Sequence, residues 1–71
     1  MENIRNQLGG NLKRLRLKNE LSQEKLGEIS SLHRTYVSSI ERGERNVSLE
    51  NLAKLTRALG CSFNDLFEGI E

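Results

Sequence analysis

The chain has 71 residues, no proline and a single cysteine, so no disulfide can form within it. At this length we expect one domain with one core, and Leu, Ile, Val and Phe make up 20 of the 71 residues, enough to exclude a disordered chain. No apolar run approaches the roughly 18 residues of a membrane span, and the polar start MENIRNQLGG is no secretion signal. These features predict a soluble cytoplasmic protein.

The net charge of +1 conceals an uneven distribution. Residues 1–45 carry nine basic and six acidic side chains, whereas residues 46–71 carry two basic and four acidic ones. This asymmetry favours an anionic partner for the first two thirds of the chain and another role for the last third. Charge alone leaves open two ordinary solvated faces.

The first predicted helix covers about residues 4–18. Gly9 and Gly10 interrupt it and cost about 1 kcal/mol each relative to alanine, so we expect its first turns to fray. The helix is predicted from one apolar stripe with helical spacing, formed by Ile4, Leu8, Leu12 and Leu15.

Two short helices are predicted next. Ser22 is a good N-cap for the second, in which Leu26 and Ile29 should point inward. The third should begin at about His33 and end at Gly43, which suits the left-handed position after a helix.

Two further helices complete the predicted all-α, five-helix fold. Ser48 should cap the fourth helix and Gly60 should end it. The fifth is short, with Ser62 as N-cap and Asp65 as the acidic half of a capping box.

The second and third helices are predicted to cross steeply, because each offers only two or three apolar residues. Gly27 should lie where the two backbones approach. This arrangement over about residues 22–42 is a helix-turn-helix, whose second helix fits the roughly 12 Å major groove of DNA. The whole chain, residues 1–71, is then a single helix-turn-helix domain.

The segments LSQEKLGEISSLHRTYVSSIERG and SLENLAKLTRALG resemble the phage-repressor-like helix-turn-helix family of the Xre/Cro type. The resemblance extends from about Leu12 to Phe67, and HRTYVSSIERGERNVSLENL is most similar to the controller proteins of restriction-modification systems. One position departs from the family pattern. The family usually has glycine in the turn between the two helices, where this chain has Ser31, so we expect strain or a different turn shape.

Base contacts are expected from the exposed start of the third helix. Arg34 is the strongest candidate, because a guanidinium can bond both O6 and N7 of guanine and because a cation at a helix start is unfavourable without an anionic partner. His33 could instead cap the helix. The predicted base-contacting residues are His33, Arg34, Thr35 and Ser39.

Phosphate contacts are expected on both sides of these residues. Gln23 should contact a phosphate, as the resemblance implies, and Arg45 could also reach a minor-groove edge. For Tyr36, a partly buried core position is the alternative. The predicted phosphate-contacting residues are Gln23, Tyr36, Arg42, Arg45 and Asn46. The resemblance also implies that Arg16 pairs with Glu41 as a structural brace.

A second subunit is expected, because helix-turn-helix domains pair to bind half-sites about 34 Å apart. The dimerisation region is predicted at about residues 56–71, although both phenylalanines could instead close the monomer core. The predicted interface residues are Leu59, Cys61, Phe63, Leu66 and Phe67.

No catalytic constellation, metal-ligand cluster or phosphate-binding loop is recognisable, so we expect neither an enzyme nor a cofactor. The resemblance implies a dimeric regulator of its own gene and an endonuclease gene, with double-stranded operator DNA, a second dimer on that operator and RNA polymerase as candidate partners. The alternatives are a Cro-like phage repressor, an antitoxin-type autoregulator or a small helical protein-interaction module. Since no sensing domain is recognised after Gly69, we expect the protein's concentration to be its switch.

Overall fold

A computed structural model describes residues 3–70 and contains five α-helices and, within that range, no strand. The helices are α1 (Ile4–Lys18), α2 (Gln23–Ser30), α3 (Arg34–Glu41), α4 (Leu49–Leu59) and α5 (Phe63–Leu66). Helices α2 and α3 pack against each other, α1 packs on α3, α4 packs on α2, and the short α5 lies against α1 and α4. The all-α fold and the order of its five helices are as predicted.

Each helix begins at a side chain that accepts a backbone hydrogen bond, which satisfies one of the free N–H groups of the first turn. The predicted capping box is complete, since Ser62 and Asp65 each accept from the other's backbone. Gly43 and Gly60 follow α3 and α4 with φ of +75° and +64°, as expected for helix ends. The five N-caps are Asn3, Ser22, His33, Ser48 and Ser62.

One core lies between the helices, and every helix contributes to it. The prediction that Ile29 points inward is wrong, because this side chain is 47% exposed beside Lys54 and Arg57 of α4. The buried face of α2 instead consists of Leu26, Gly27 and Ser30. The buried apolar residues are Leu12, Leu15, Leu26, Val37, Ile40, Leu52, Leu55, Leu59 and Leu66.

The crossing of α2 and α3 depends on Gly27, as predicted. A Cβ at this position would lie 2.6 Å from the carbonyl oxygen of Leu32, so any side chain would force the helices apart. Gly9 and Gly10 do not interrupt α1, because the helix is continuous through both residues. Gly9 is buried against α3, so packing compensates for its low helix propensity.

Ser31 ends α2 in the left-handed conformation, with φ of 61° and ψ of 34°. The turn therefore has the shape that glycine would favour, and serine bears the cost of roughly 1 kcal/mol. The backbone N–H of Leu32 then bonds the Gly27 carbonyl at 2.8 Å, which closes the turn. This geometry directs α3 away from α2.

None of the helices in the described part of the chain is long and apolar enough to span a bilayer.

Candidate nucleic-acid interface

Helix α3 attaches to the body through one face and presents the other to solvent. Val37 and Ile40 are almost fully buried, with 0% and 2% exposure. On the opposite side, the exposed Arg34, Thr35 and Arg42 form a polar surface about two helical turns long. Such a helix can enter the major groove without disturbing the core.

His33 is the N-cap of α3, so the helix begins at Arg34, one residue after the predicted start. Its Nδ1 accepts the backbone N–H of Thr35 at 3.1 Å and lies 2.8 Å from the Thr35 hydroxyl oxygen. The structure therefore shows the capping role that the sequence left open. The ring remains exposed beside the first turn of the helix.

Arg34 is exposed at the first position of α3 and has an anionic partner on the neighbouring helix. Its Nη1 donates to the Glu24 carboxylate at 2.8 Å. Glu24 lies in the first turn of α2, where a negative charge is favourable. Sequence reasoning missed this residue, because the contact joins two helices.

Ser39 does not lie on the exposed face, and its predicted base contact is therefore wrong. It is 6% exposed, because the loop that follows α3 folds back over it. Its hydroxyl donates to the Tyr36 carbonyl at 2.7 Å and accepts from Arg45 Nε at 3.2 Å. The place predicted for Ser39 is instead occupied by Ser38. This residue is half-buried and lies one turn beyond Thr35 and Arg34.

Tyr36 connects α4 to the loop after α3. Its hydroxyl accepts from the Asn51 side chain at 3.1 Å, and the Arg45 guanidinium lies 5.6 Å from the ring centroid, within cation–π range. The ring is half-buried, which agrees with the alternative of a partly buried tyrosine. These contacts orient Arg45, and Asn51 is a further residue that sequence reasoning missed.

The loop after α3 also carries the remaining predicted phosphate contacts. Arg42 donates to both oxygens of Glu44 at 3.1 Å and to the Ser38 hydroxyl. The hydrogen bonds from Arg42 lower the pKa of Glu44, and the same bonds raise the pKa of Arg42. Asn46 is exposed further along the loop. The exposed basic groups thus border α3 on its C-terminal side.

A buried ion pair joins α1 to the end of α3. Arg16 Nε and Nη2 donate to the two oxygens of Glu41 at 2.7 and 3.1 Å, and Nη1 donates to the Leu21 carbonyl at 2.8 Å. The Arg16 and Glu41 side chains are only 9% and 4% exposed. Gln23, a predicted phosphate contact, donates its side-chain amide to Glu41 at 3.0 Å. The pair implied by the resemblance is therefore present, with Gln23 attached to it.

The predicted dimer region divides into buried and exposed residues. Leu59 and Leu66, with 5% and 0% exposure, fill the monomer core, so their assignment to the interface is wrong. Phe63 and Phe67 are each 38% exposed and stack with centroids 6.3 Å apart. Cys61 is partly buried, and this burial raises the pKa of its thiol.

Helix α5 is attached to α1 through Asn11. The Asn11 side chain donates to the carbonyl oxygens of Leu66 and Glu68 at 2.9 and 2.8 Å. These two acceptors lie at and beyond the C-terminal end of α5, where carbonyl groups lack helical partners. Phe63 begins α5 and Phe67 is its C-cap, so the stacked phenylalanines are held to the body by these bonds.

Two short helices that pack against each other across a tight turn, a polar exposed face on the second and basic residues in the following loop together define a helix-turn-helix DNA-binding protein. Among residues 3–70, no group of three or more His, Cys, Asp or Glu side chains could hold a metal ion.

Comparison with known proteins agrees with this geometry. The helix-turn-helix family model matches residues 12–66. The chain is 51% identical to the control protein C.BamHI of Bacillus amyloliquefaciens over 93% of its length and 83% of the relative's. It is 49% identical to the control protein C.MunI of a Mycoplasma species, over 100% of this chain and 97% of the relative.

A solved structure shows the same fold. The restriction-modification controller protein C.AhdI from Aeromonas hydrophila superposes with a TM-score of 0.84 at 48% identity, over 86% of this chain and 92% of that one. The chain belongs to the helix-turn-helix family. It is a DNA-binding transcriptional regulator, similar to restriction-modification control proteins.

Proposed function

We propose that this protein is the controller of a restriction-modification system, which binds operator DNA as a dimer in the cytoplasm and regulates its own gene and the endonuclease gene. The similarity to two control proteins, at 51% and 49% identity over nearly the whole chain, is the observation that carries this proposal. In this role α3 enters the major groove. Arg34 and Thr35 contact base edges, with Ser38 beside them and His33 at the helix start.

The residues around α3 position it on the duplex. Arg42, Arg45 and Asn46 contact phosphates on one side of the groove, and Gln23 and Tyr36 contact them on the other. Phosphate contacts fix the register, whereas base contacts provide sequence preference. The brace formed by Arg16 and Glu41 holds the end of α3 during binding.

The dimer is proposed to form through the exposed surface of α5. Phe63 and Phe67 offer a stacked aromatic surface, and Cys61 lies close to it in the chain. A symmetric pair of recognition helices then reads two half-sites. A second dimer on the same operator and contact with RNA polymerase would follow as later steps of regulation.

Fluorescence anisotropy with DNA duplexes tests the proposal. The probes are the DNA upstream of this protein's gene, the DNA upstream of the adjacent endonuclease gene, and a scrambled duplex of the same composition. We expect at least about 1,000-fold tighter binding to the upstream duplexes than to the scrambled one, with affinity falling steeply as salt rises.

Binding that is equal for all three duplexes, or insensitive to salt, would support a protein-interaction module instead. A preference confined to DNA beside a toxin gene or phage lysis genes would support an antitoxin-type or Cro-like regulator.

A further inference from the structure

Arg34 stands at a helix start, where a cation is electrostatically unfavourable. The first turn of α3 contains no acidic residue, and its free N–H groups carry partial positive charge. Glu24 provides the missing negative charge from α2, with its Oε2 2.8 Å from Arg34 Nη1. Arg34 therefore already has an anionic partner before any DNA arrives.

This pair is not required for the fold. The Arg34 and Glu24 side chains are 62% and 70% exposed, and water screens such pairs so well that they add little stability. The pair of Arg16 with Glu41 differs, because it is buried and braces α3 against α1. The significance of Glu24 therefore lies in its effect on what Arg34 can bind.

We propose that Glu24 is a specificity-determining residue. Its ion pair with Arg34 keeps the guanidinium from binding the phosphates of non-operator DNA, and Arg34 leaves this pair to bind a guanine edge. This inference rests on the proposed function, in which Arg34 contacts an operator base. A phosphate offers Arg34 the same kind of charge-assisted hydrogen bond that the Glu24 carboxylate already provides, so exchanging one for the other gains little. Guanine offers O6 and N7 in one plane, which matches the guanidinium fork.

The proposal has a consequence for non-specific binding. On DNA without the correct guanine, Arg34 stays on Glu24 and neutralises no phosphate. If Glu24 is changed to glutamine, the side chain keeps its size but loses its charge, and Arg34 becomes free to contact a phosphate. Each added phosphate contact steepens the dependence of log affinity on log salt by about 0.9.

The test compares Glu24→Gln with Glu28→Gln. Glu28 lies on the same helix and pairs with Lys25 at 3.5 Å, so the control removes an equal charge from another exposed pair. Fluorescence anisotropy with operator and scrambled duplexes at several salt concentrations gives affinities and salt slopes. Thermal unfolding verifies that both variants are folded.

We expect Glu24→Gln to bind the scrambled duplex roughly 3- to 10-fold more tightly, with a slope steeper by about 0.9. The preference for the operator should fall accordingly. Glu28→Gln should leave the slope on scrambled DNA unchanged.

Adding Arg34→Met to the wild-type protein and to Glu24→Gln shows whether the effect of Glu24 on DNA affinity acts through Arg34. In the wild-type background it should abolish operator preference and leave the salt slope on scrambled DNA unchanged, whereas in Glu24→Gln it should remove the gained non-specific affinity and the added slope. The role of Glu24 is overturned if Glu24→Gln behaves like Glu28→Gln. It is also overturned if the gain in affinity for scrambled DNA remains when Glu24→Gln is combined with Arg34→Met. A wild-type protein that shows no operator preference would overturn the proposed function itself.

Discussion

Gly9 of α1 lies directly against the backbone of Glu41 at the end of α3. A Cβ on Gly9 would approach the carbonyl oxygen of Glu41 to 2.7 Å, and these atoms belong to backbone that cannot rotate away. The same Glu41 receives the buried ion pair from Arg16. One close backbone contact and one buried ion pair thus help to fix the position of α3 relative to α1.

Alanine substitutions at the two adjacent glycines of α1 should have opposite effects. Gly9→Ala should destabilise the protein, because overpacking of a tight contact typically costs about 1 to 3 kcal/mol. Gly10→Ala should stabilise it by up to about 1 kcal/mol, because Gly10 is exposed and nothing lies near the added Cβ. Urea denaturation followed by circular dichroism measures both. A stabilising Gly9→Ala would contradict the close approach.

Arg16→Met should destabilise the protein by about 3 to 5 kcal/mol, because it leaves the Glu41 carboxylate buried without its cation. Arg14→Met is the matched control, since Arg14 pairs with Glu68 on the surface, with the side chains 50% and 70% exposed. Its effect should stay within about 1 kcal/mol. Equal losses for the two variants in urea denaturation would show that the buried pair is no brace.

Ser38→Ala and Ser39→Ala should affect different properties. Ser39→Ala removes the acceptor of Arg45 and should cost roughly 1 kcal/mol of folding free energy. Ser38→Ala should leave stability within about 0.5 kcal/mol, because the residue lies on the outer side of α3, and should weaken operator binding several-fold. Thermal unfolding measures stability and fluorescence anisotropy measures operator binding, both on the same samples. Weaker operator binding by Ser39→Ala alone, at unchanged stability, would contradict the buried position.

Phe63→Ser should weaken the proposed dimer by at least about tenfold in dissociation constant, because interface aromatics contribute a large part of association energy. Leu49→Ser is the control, since Leu49 is an apolar residue of α4 with 69% exposure, outside the proposed interface. Sedimentation equilibrium measures the dissociation constants, and circular dichroism verifies folding. An unchanged dimer in Phe63→Ser would exclude α5 as the interface.

The capping box of α5 should give a pH-dependent stability. Hydrogen bonds from Ser62, first from its backbone N–H, lower the pKa of Asp65. A carboxyl whose pKa is lower in the folded state stabilises the fold fully above its unfolded pKa, and this stabilisation is lost as pH falls through the folded value. Asp65→Asn should therefore lower the melting temperature at pH 7, and the difference from wild type should shrink in acid.

Ser62→Ala is the control for this pH dependence. It removes the cap hydroxyl but keeps the backbone N–H that is the largest cause of the lowered pKa of Asp65. This variant should lose stability and keep most of the pH dependence. A difference between Asp65→Asn and wild type that stays constant from pH 7 to acid would contradict the assignment.

The features that sequence predicts well are local ones. The three serine N-caps, the left-handed glycines and the buried Val37 and Ile40 follow from residue types and spacing within one helix. Gly27 was recognised because a helix-turn-helix needs a small residue at its crossing. The same reasoning treated Gly9 as a defect, since nothing within α1 shows that α3 packs on it.

The site residues that sequence misplaced depend on contacts between distant segments. Ser39 lies on the outer side of α3 by helical spacing alone, and only the return of Arg45 over it makes it buried. Glu24 was missed because its partner is ten residues away on another helix. Leu66 was assigned to an interface because sequence does not show how much of a short helix the core will cover.

The hydrogen bonds from Asn11 to the end of α5 have a geometric consequence for the operator. Because α1 packs on α3 and binds the end of α5 through Asn11, α3 and the stacked phenylalanines are both held to the same helix. In a dimer formed through α5, the separation between the two recognition helices would then be set by the protein and not by the DNA. Such a dimer would require one fixed separation between half-sites. An operator with one base pair inserted or deleted between the half-sites should be bound only if the duplex bends or twists.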